Sequence, residues 1–210
     1  NTVIGDSMHD GEVLYGPMLS QKYANDFLET IKMCDTDGAT KLYGEGRITA
    51  QSAPSGFLGN ADEGVYMWPH VYTDVTEEMD CFMNELFGPA ITIVKARDFE
   101  HGLHLANASP YGLSSAIYTN DRLEAYRFKS GIKAGMTGIN NSTTGAEAHL
   151  PFGGVKSSGN GTRESGIWVI EAYSYWHAVN DELSGKLQLA QMDVDEIEMV
   201  EAEIDWGSLS

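Results

Sequence analysis

Residues 90–140 read AITIVKARDFEHGLHLANASPYGLSSAIYTNDRLEAYRFKSGIKAGMTGIN, and this stretch decides the fold class. Its first six residues form a β-branched run, the composition of a strand. Asp98 then offers an N-cap to a helix bearing Phe99, Leu103 and Ala106, and turn residues fill 107–112. A second strand is expected over 114–119, a second helix over 121–133 with Leu123, Tyr126, Phe128 and Ile132, and a third strand over 135–140. Strand, helix, strand, helix, strand at these lengths predicts a pair of right-handed crossovers between parallel strands. The fold class is α/β, a parallel-rich sheet with crossover helices.

Toward the N-terminus, Leu19, Tyr23, Phe27 and Ile31 recur every four residues behind Pro17, which predicts an amphipathic helix. A short strand is expected around Leu42 and Tyr43, then loop to about residue 63. Aromatic and β-branched residues over 65–75, interrupted by Pro69, predict one edge strand or two short ones. Toward the C-terminus, residues 142–166 hold six glycines and no hydrophobic period, a long loop of the kind that sits at functional surfaces. A short helix over 167–173 and a strand over 174–180 follow, then an acidic, peripheral tail. No internal repeat is visible.

The chain has 210 residues, 42% hydrophobic and 10% aromatic, enough to bury a core. Its 31 acidic against 13 basic residues, a net charge of -18, repel phosphate backbones and disfavour nucleic acid as a partner. No apolar run approaches the ~20 residues of a membrane span, and the N-terminus lacks the basic flank and apolar core of a signal peptide. A soluble chain is expected. The only cysteines, Cys34 and Cys81, suggest a reducing compartment and no disulfide scaffold. Cys81 is flanked by Glu77, Glu78, Asp80 and Glu85, which should raise its pKa, so both thiols read as inert. The histidines show no metal-ligand spacing; His101 and His104 share a helix face without a third ligand, so no metal site is predicted. The glycines of 153–161 match neither GxGxxG after a strand nor a phosphate loop. The first residue is Asn, as expected of a processed or truncated piece.

Three ordered segments add a resemblance. They are Asn84-Glu85-Leu86-Phe87-Gly88-Pro89, then Ala106-Asn107 with Tyr111-Gly112-Leu113-Ser114, then Pro151-Phe152-Gly153-Gly154 with Lys156, Ser158 and Gly159. Together they resemble the C-terminal half of the aldehyde dehydrogenase superfamily over residues 16–180. The 142–147 loop and the 159–166 run look most like its semialdehyde-oxidising branches. The resemblance implies a covalent mechanism: a Cys thiolate attacks the aldehyde, hydride passes to a nicotinamide, and a Glu-activated water releases the acid. It also implies that the nucleophile, the base and the dinucleotide-binding strands lie N-terminal to this chain, so no catalytic residue is expected within it.

By the same resemblance, Glu85 would accept hydrogen bonds from the nicotinamide ribose and Phe87 would pack near the nicotinamide. Phe152 would wall the aldehyde pocket, with Thr144, Gly145 and Ala146 in the loop that contacts the substrate tail. Taken alone, Glu85 reads as a solvated acid near a helix end, and Phe87 and Phe152 read as core. Asn84 stands where the family usually has Glu, which removes a charge but leaves the contact residue. The implied domains are a partial catalytic domain over 1–166, a helix and oligomerisation strand over 167–180, and an acidic tail over 181–210. The implied cofactor is NAD or NADP in the complete enzyme, with none for this chain alone. Expected partners are the N-terminal portion of the same enzyme or another subunit, in a homo-oligomer or larger complex. The expected compartment is the cytoplasm, or the mitochondrial matrix after removal of a targeting peptide. The alternative is a catalytically inert relative kept as a structural or assembly subunit.

Overall fold

Helix α1 (Gln21–Asp37) organises the larger of two units, Asn1–Ala172 and Tyr173–Ser210, in a computed structural model that describes residues 3–181 and 183. It begins after an extended Ser20 and stops at Gly38, whose φ of 86° is the left-handed conformation that closes helices. Its buried stripe is Ala24, Phe27, Ile31 and Cys34. Of the row expected from Pro17, only Phe27 and Ile31 face the core; Leu19 precedes the helix and is exposed, as is Tyr23. A four-residue repeat overshoots a turn of about 3.6 residues, so such a row drifts off the buried face.

The stripe packs on a three-stranded sheet ordered β1 (Thr40–Tyr43), β4 (His70–Thr73), β5 (Ala90–Thr92). The β1–β4 pair is antiparallel with an irregularity between Lys41 and Tyr43, and β4–β5 is parallel with His70 opposite Ala90. Phe27, Ile31, Met67, Tyr72, Val75, Cys81 and Leu86 form the main core. The short pair β2 (Arg47–Ile48) and β3 (Tyr66–Met67) lies in the segment expected to be loop and part of the 65–75 stretch; it carries a second cluster with Ile4 and Ala61. Pro69 separates β3 from β4, so that stretch is two short strands, and β4 is the centre of its sheet rather than an edge.

Helix α3 (Phe99–Ala108) starts at Asp98, whose carboxylate accepts the His101 N–H, and α4 (Arg122–Gly131) starts at Asp121, which accepts from Leu123 and Glu124. The expected crossover closes for one pair: β6 (Ser114–Ile117) and β7 (Met136–Ile139) run parallel, with Ser114 opposite Met136 and α4 between them. The other does not. Among the described residues β5 bonds only β4 and β6 bonds only β7, so α3 joins two separate sheets. The smaller helices are α2 (Asp80–Met83) and α5 (Val169–Ala172).

In the second unit, residues 174–180 form no strand among the described residues. Tyr173, Tyr175, Trp176 and Val179 are exposed. The acidic run 193–205 lies outside the described residues. No helix among the described residues is long and apolar enough to cross a membrane.

His70 is buried, with its ring T-shaped to Phe27 and stacked on Tyr72 at centroid distances of 5.5 and 6.4 Å. Burial, the largest cause, holds its pKa below the ordinary value. The unfolded chain therefore takes up a proton first as pH falls, and folding stability declines from about pH 6.5 downward. Urea titrations between pH 8 and 5 should show a steeper acid-side loss for the native protein than for His70→Leu; parallel curves would refute this.

Candidate functional site

The segment 84–89 is anchored from both ends. The Asn84 side chain donates to Asp80 O at 2.9 Å, and Pro89 O accepts the His70 N–H at 2.7 Å. Gly88 lies flat on the Phe27 ring, where any Cβ would overlap it. Between these anchors Leu86 is buried, while Glu85 and Phe87 on either side of it are exposed. Burial alternates over 85–87, with Leu86 turned to the core and Glu85 and Phe87 away from it. The Glu85 carboxylate takes no hydrogen bond from the described residues and opens onto a cavity of about 650 Å³. That cavity lies between β5, through Ala90 and Thr92, and the segment 111–114, with Ser157 and Ser158 alongside. Phe87 is 72% exposed and is not part of the cavity wall.

A second cavity of about 270 Å³ lies against β6 and β7, and Ser114 borders both. It brings together three of the four residues expected on the substrate side, Phe152, Gly145 and Ala146, with Met136 and Glu147. Thr144 is not among its walls: its hydroxyl lies 2.7 Å from that of Ser142, whose oxygen also accepts the Thr144 N–H. Phe152 is fixed by a two-way backbone bridge with Glu164, at 2.6 and 2.9 Å.

The wall between the cavities is backbone laid on backbone. Gly112 O accepts both the Gly135 N–H and the Val155 N–H at 3.0 Å, and Ser158 Oγ accepts the Gly112 N–H at 3.0 Å. Gly135 sits so close to Gly153 that a Cβ would overlap its carbonyl, and Gly154 meets Ser158 in the same way. The glycines of 151–159 thus serve close approach, where the sequence showed only a loop. Ser157 and Ser158 were missed as cavity residues; their signal was a Gly-rich segment with polar residues inside it.

Cys34 and Cys81 are buried in the main core, and the Cys81 N–H donates to Asp37 at 2.9 Å. Burial, then Cys34 and Asp37, push the Cys81 thiol up to about 12; the cause is burial rather than the flanking acids expected from sequence. Burial likewise raises Cys34. No cluster of three metal-ligating side chains occurs among the described residues, and His104 pairs with Glu77 at 3.0 Å on the surface.

Residues 1–179 match the aldehyde dehydrogenase family model. The chain belongs to this family. It is 37% identical to an α-ketoglutarate semialdehyde dehydrogenase of Haloferax volcanii over 167 residues, 79% of this chain and 33% of that protein. It is also 37% identical to a vanillin dehydrogenase of Corynebacterium glutamicum over 174 residues, 83% of this chain and 32% of that one. Among solved structures, a betaine aldehyde dehydrogenase from Staphylococcus aureus in complex with NAD+ superposes with a TM-score of 0.69 at 29% identity, covering 78% of this chain and 30% of that one. An NAD-dependent aldehyde dehydrogenase from Sinorhizobium meliloti gives 0.70 at 29%, covering 84% and 32%. The chain therefore spans about a third of the length of the relatives it matches.

The close packing at Gly135 generates a paired prediction. Gly135→Ala should destabilise the native protein by about 1–3 kcal/mol through overpacking. Gly102→Ala, inside α3 with only ordinary contact to Ala96, should stabilise it by about 0.5–1 kcal/mol. Urea unfolding of both variants checks this, and equal effects would contradict the account.

Proposed function

We propose that this chain supplies the ribose contact and the aldehyde-side wall of an NAD(P)-dependent aldehyde dehydrogenase, whose nucleophile and base come from polypeptide outside it. The observation that carries the reading is the Glu85 carboxylate, which takes no hydrogen bond from the described residues and lines the larger cavity. A carboxylate only accepts hydrogen bonds, and a ribose offers two hydroxyl donors, so the group fits the cofactor. When bound, the nicotinamide supplies the hydride acceptor. Glu85 orients the cofactor, Phe87 offers an apolar face beside it, and Phe152 with the 145–147 segment encloses the aldehyde and excludes water.

The semialdehyde class is the narrower part of the proposal. It is supported by the 142–147 loop and by the name of the Haloferax volcanii relative, while the vanillin and betaine aldehyde names mark the range of tails to be tested. A second reading, an inert assembly subunit, is favoured by the two buried thiols, whose pKa values burial raises, and by the exposed Ile91 and Ile93 on and beside β5.

Steady-state oxidation of semialdehydes, vanillin and betaine aldehyde by the native protein carrying this chain separates the readings. Glu85→Gln should raise the cofactor KM about tenfold or more, the loss expected when a charged acceptor of ~1.5–3 kcal/mol is neutralised. Phe152→Ala should raise the aldehyde KM and leave the cofactor KM near its wild-type value. An unchanged cofactor KM in Glu85→Gln would contradict the ribose contact, and absence of turnover with every aldehyde would favour the assembly subunit.

A further inference from the structure

The Gly-rich loop contains one long cation whose position the cavities do not explain. Lys156 is half-buried, and its Nζ donates to Asn107 O and Ser109 O, both at 2.9 Å. These carbonyls belong to the C-terminal end of α3, where the last backbone oxygens lack helical donors and carry the negative end of the helix dipole. Helix α3 has no basic residue in its own last turn, so Lys156 brings in from 47–49 residues away the cation that this end lacks. Among the described residues no carboxylate lies within ion-pair distance of it. Its backbone has a φ of 53°, a conformation that L side chains adopt rarely, so the loop holds an unfavourable backbone state at the residue that makes these bonds.

The surroundings tie this contact to both cavities. Asn107 itself bonds Gly131 O and the Lys133 N–H at the end of α4, so Lys156 grips the point where two helix ends are joined. On either side of Lys156, the Val155 N–H donates to Gly112 O and the Ser157 N–H to Pro110 O, both at 3.0 Å. Ser157 then faces the larger cavity and Phe152, five residues earlier, the smaller one.

We propose that Lys156 is a positioning residue: by clamping the α3 end it fixes the register of 109–114 against 151–159 and so sets the wall shared by the cofactor and aldehyde cavities. Their assignment to cofactor and aldehyde rests on the function proposed above; the clamp itself does not.

The test uses Lys156→Met and Lys156→Arg in the native protein, with amide hydrogen exchange and steady-state kinetics. In Lys156→Met, the amides of Gly112, Val155 and Ser157 should exchange about tenfold faster or more, while Ile93, bonded to Tyr72 O in the other sheet, keeps its rate. The KM values for aldehyde and cofactor should rise together about tenfold, with kcat within about threefold, because Lys156 touches no reacting atom. Lys156→Arg, which keeps the charge and the donors, should recover most of both effects. Exchange at wild-type rates in Lys156→Met, or acceleration shared equally by Ile93, would overturn the clamp. Local acceleration with both KM values unchanged in an active enzyme would overturn its role in the site. If the native protein oxidises no aldehyde, the functional reading fails and the exchange rates alone uphold or overturn the clamp.

Discussion

One carbonyl oxygen, that of Gly112, accepts hydrogen bonds from two segments that meet nowhere else in the same way: Gly135 at the start of β7 and Val155 in the Gly-rich loop. Both lone pairs are used, so the three segments can approach only if no side chain stands between them. That condition explains why 112 and 135 are glycines, since a Cβ at either would strike an atom of the facing segments, while Gly153 and Gly154 relieve contacts with Thr162 and Ser158 inside the loop itself. With this contact made, Ser114 faces both cavities and Phe152 is presented to one of them.

The other half of the site follows from a different constraint. Leu86 is buried and Gly88 is pressed on Phe27, and the flanking Glu85 and Phe87 both face outward. The same core that fixes this segment buries both thiols, and that burial raises their pKa values. The placement of Glu85 and Phe87 and the burial of the cysteines therefore share one cause, the packing of α1 against β4 and the 81–86 segment.

Much of this was legible in the sequence. The cap Asp98, the helix beginning at about residue 121, the parallel pair around α4 and the break at Pro69 all follow from local signals that tertiary packing did not override. Short strands such as Arg47–Ile48 were not legible, because two residues carry no periodicity. Nor was the separation of β5 from β6, since strand neighbours are chosen by long-range pairing rather than by the crossover between them. Glu85 and Phe152 were found through ordered motifs, Gly145 and Ala146 through the loop that the resemblance sets beside the substrate, and all four do border cavities. The geometry that makes Ser157 and Lys156 part of the same wall is visible only once the loop is folded onto 109–114.

The account stands on Glu85 and Phe87 facing a bound cofactor. A crystal structure of the native protein soaked with NAD+ tests this most directly. The expected result is a nicotinamide ribose whose hydroxyls lie within hydrogen-bond distance of the Glu85 carboxylate, with the Phe87 ring beside the nicotinamide. An ordered cofactor that leaves both residues in solvent would contradict it.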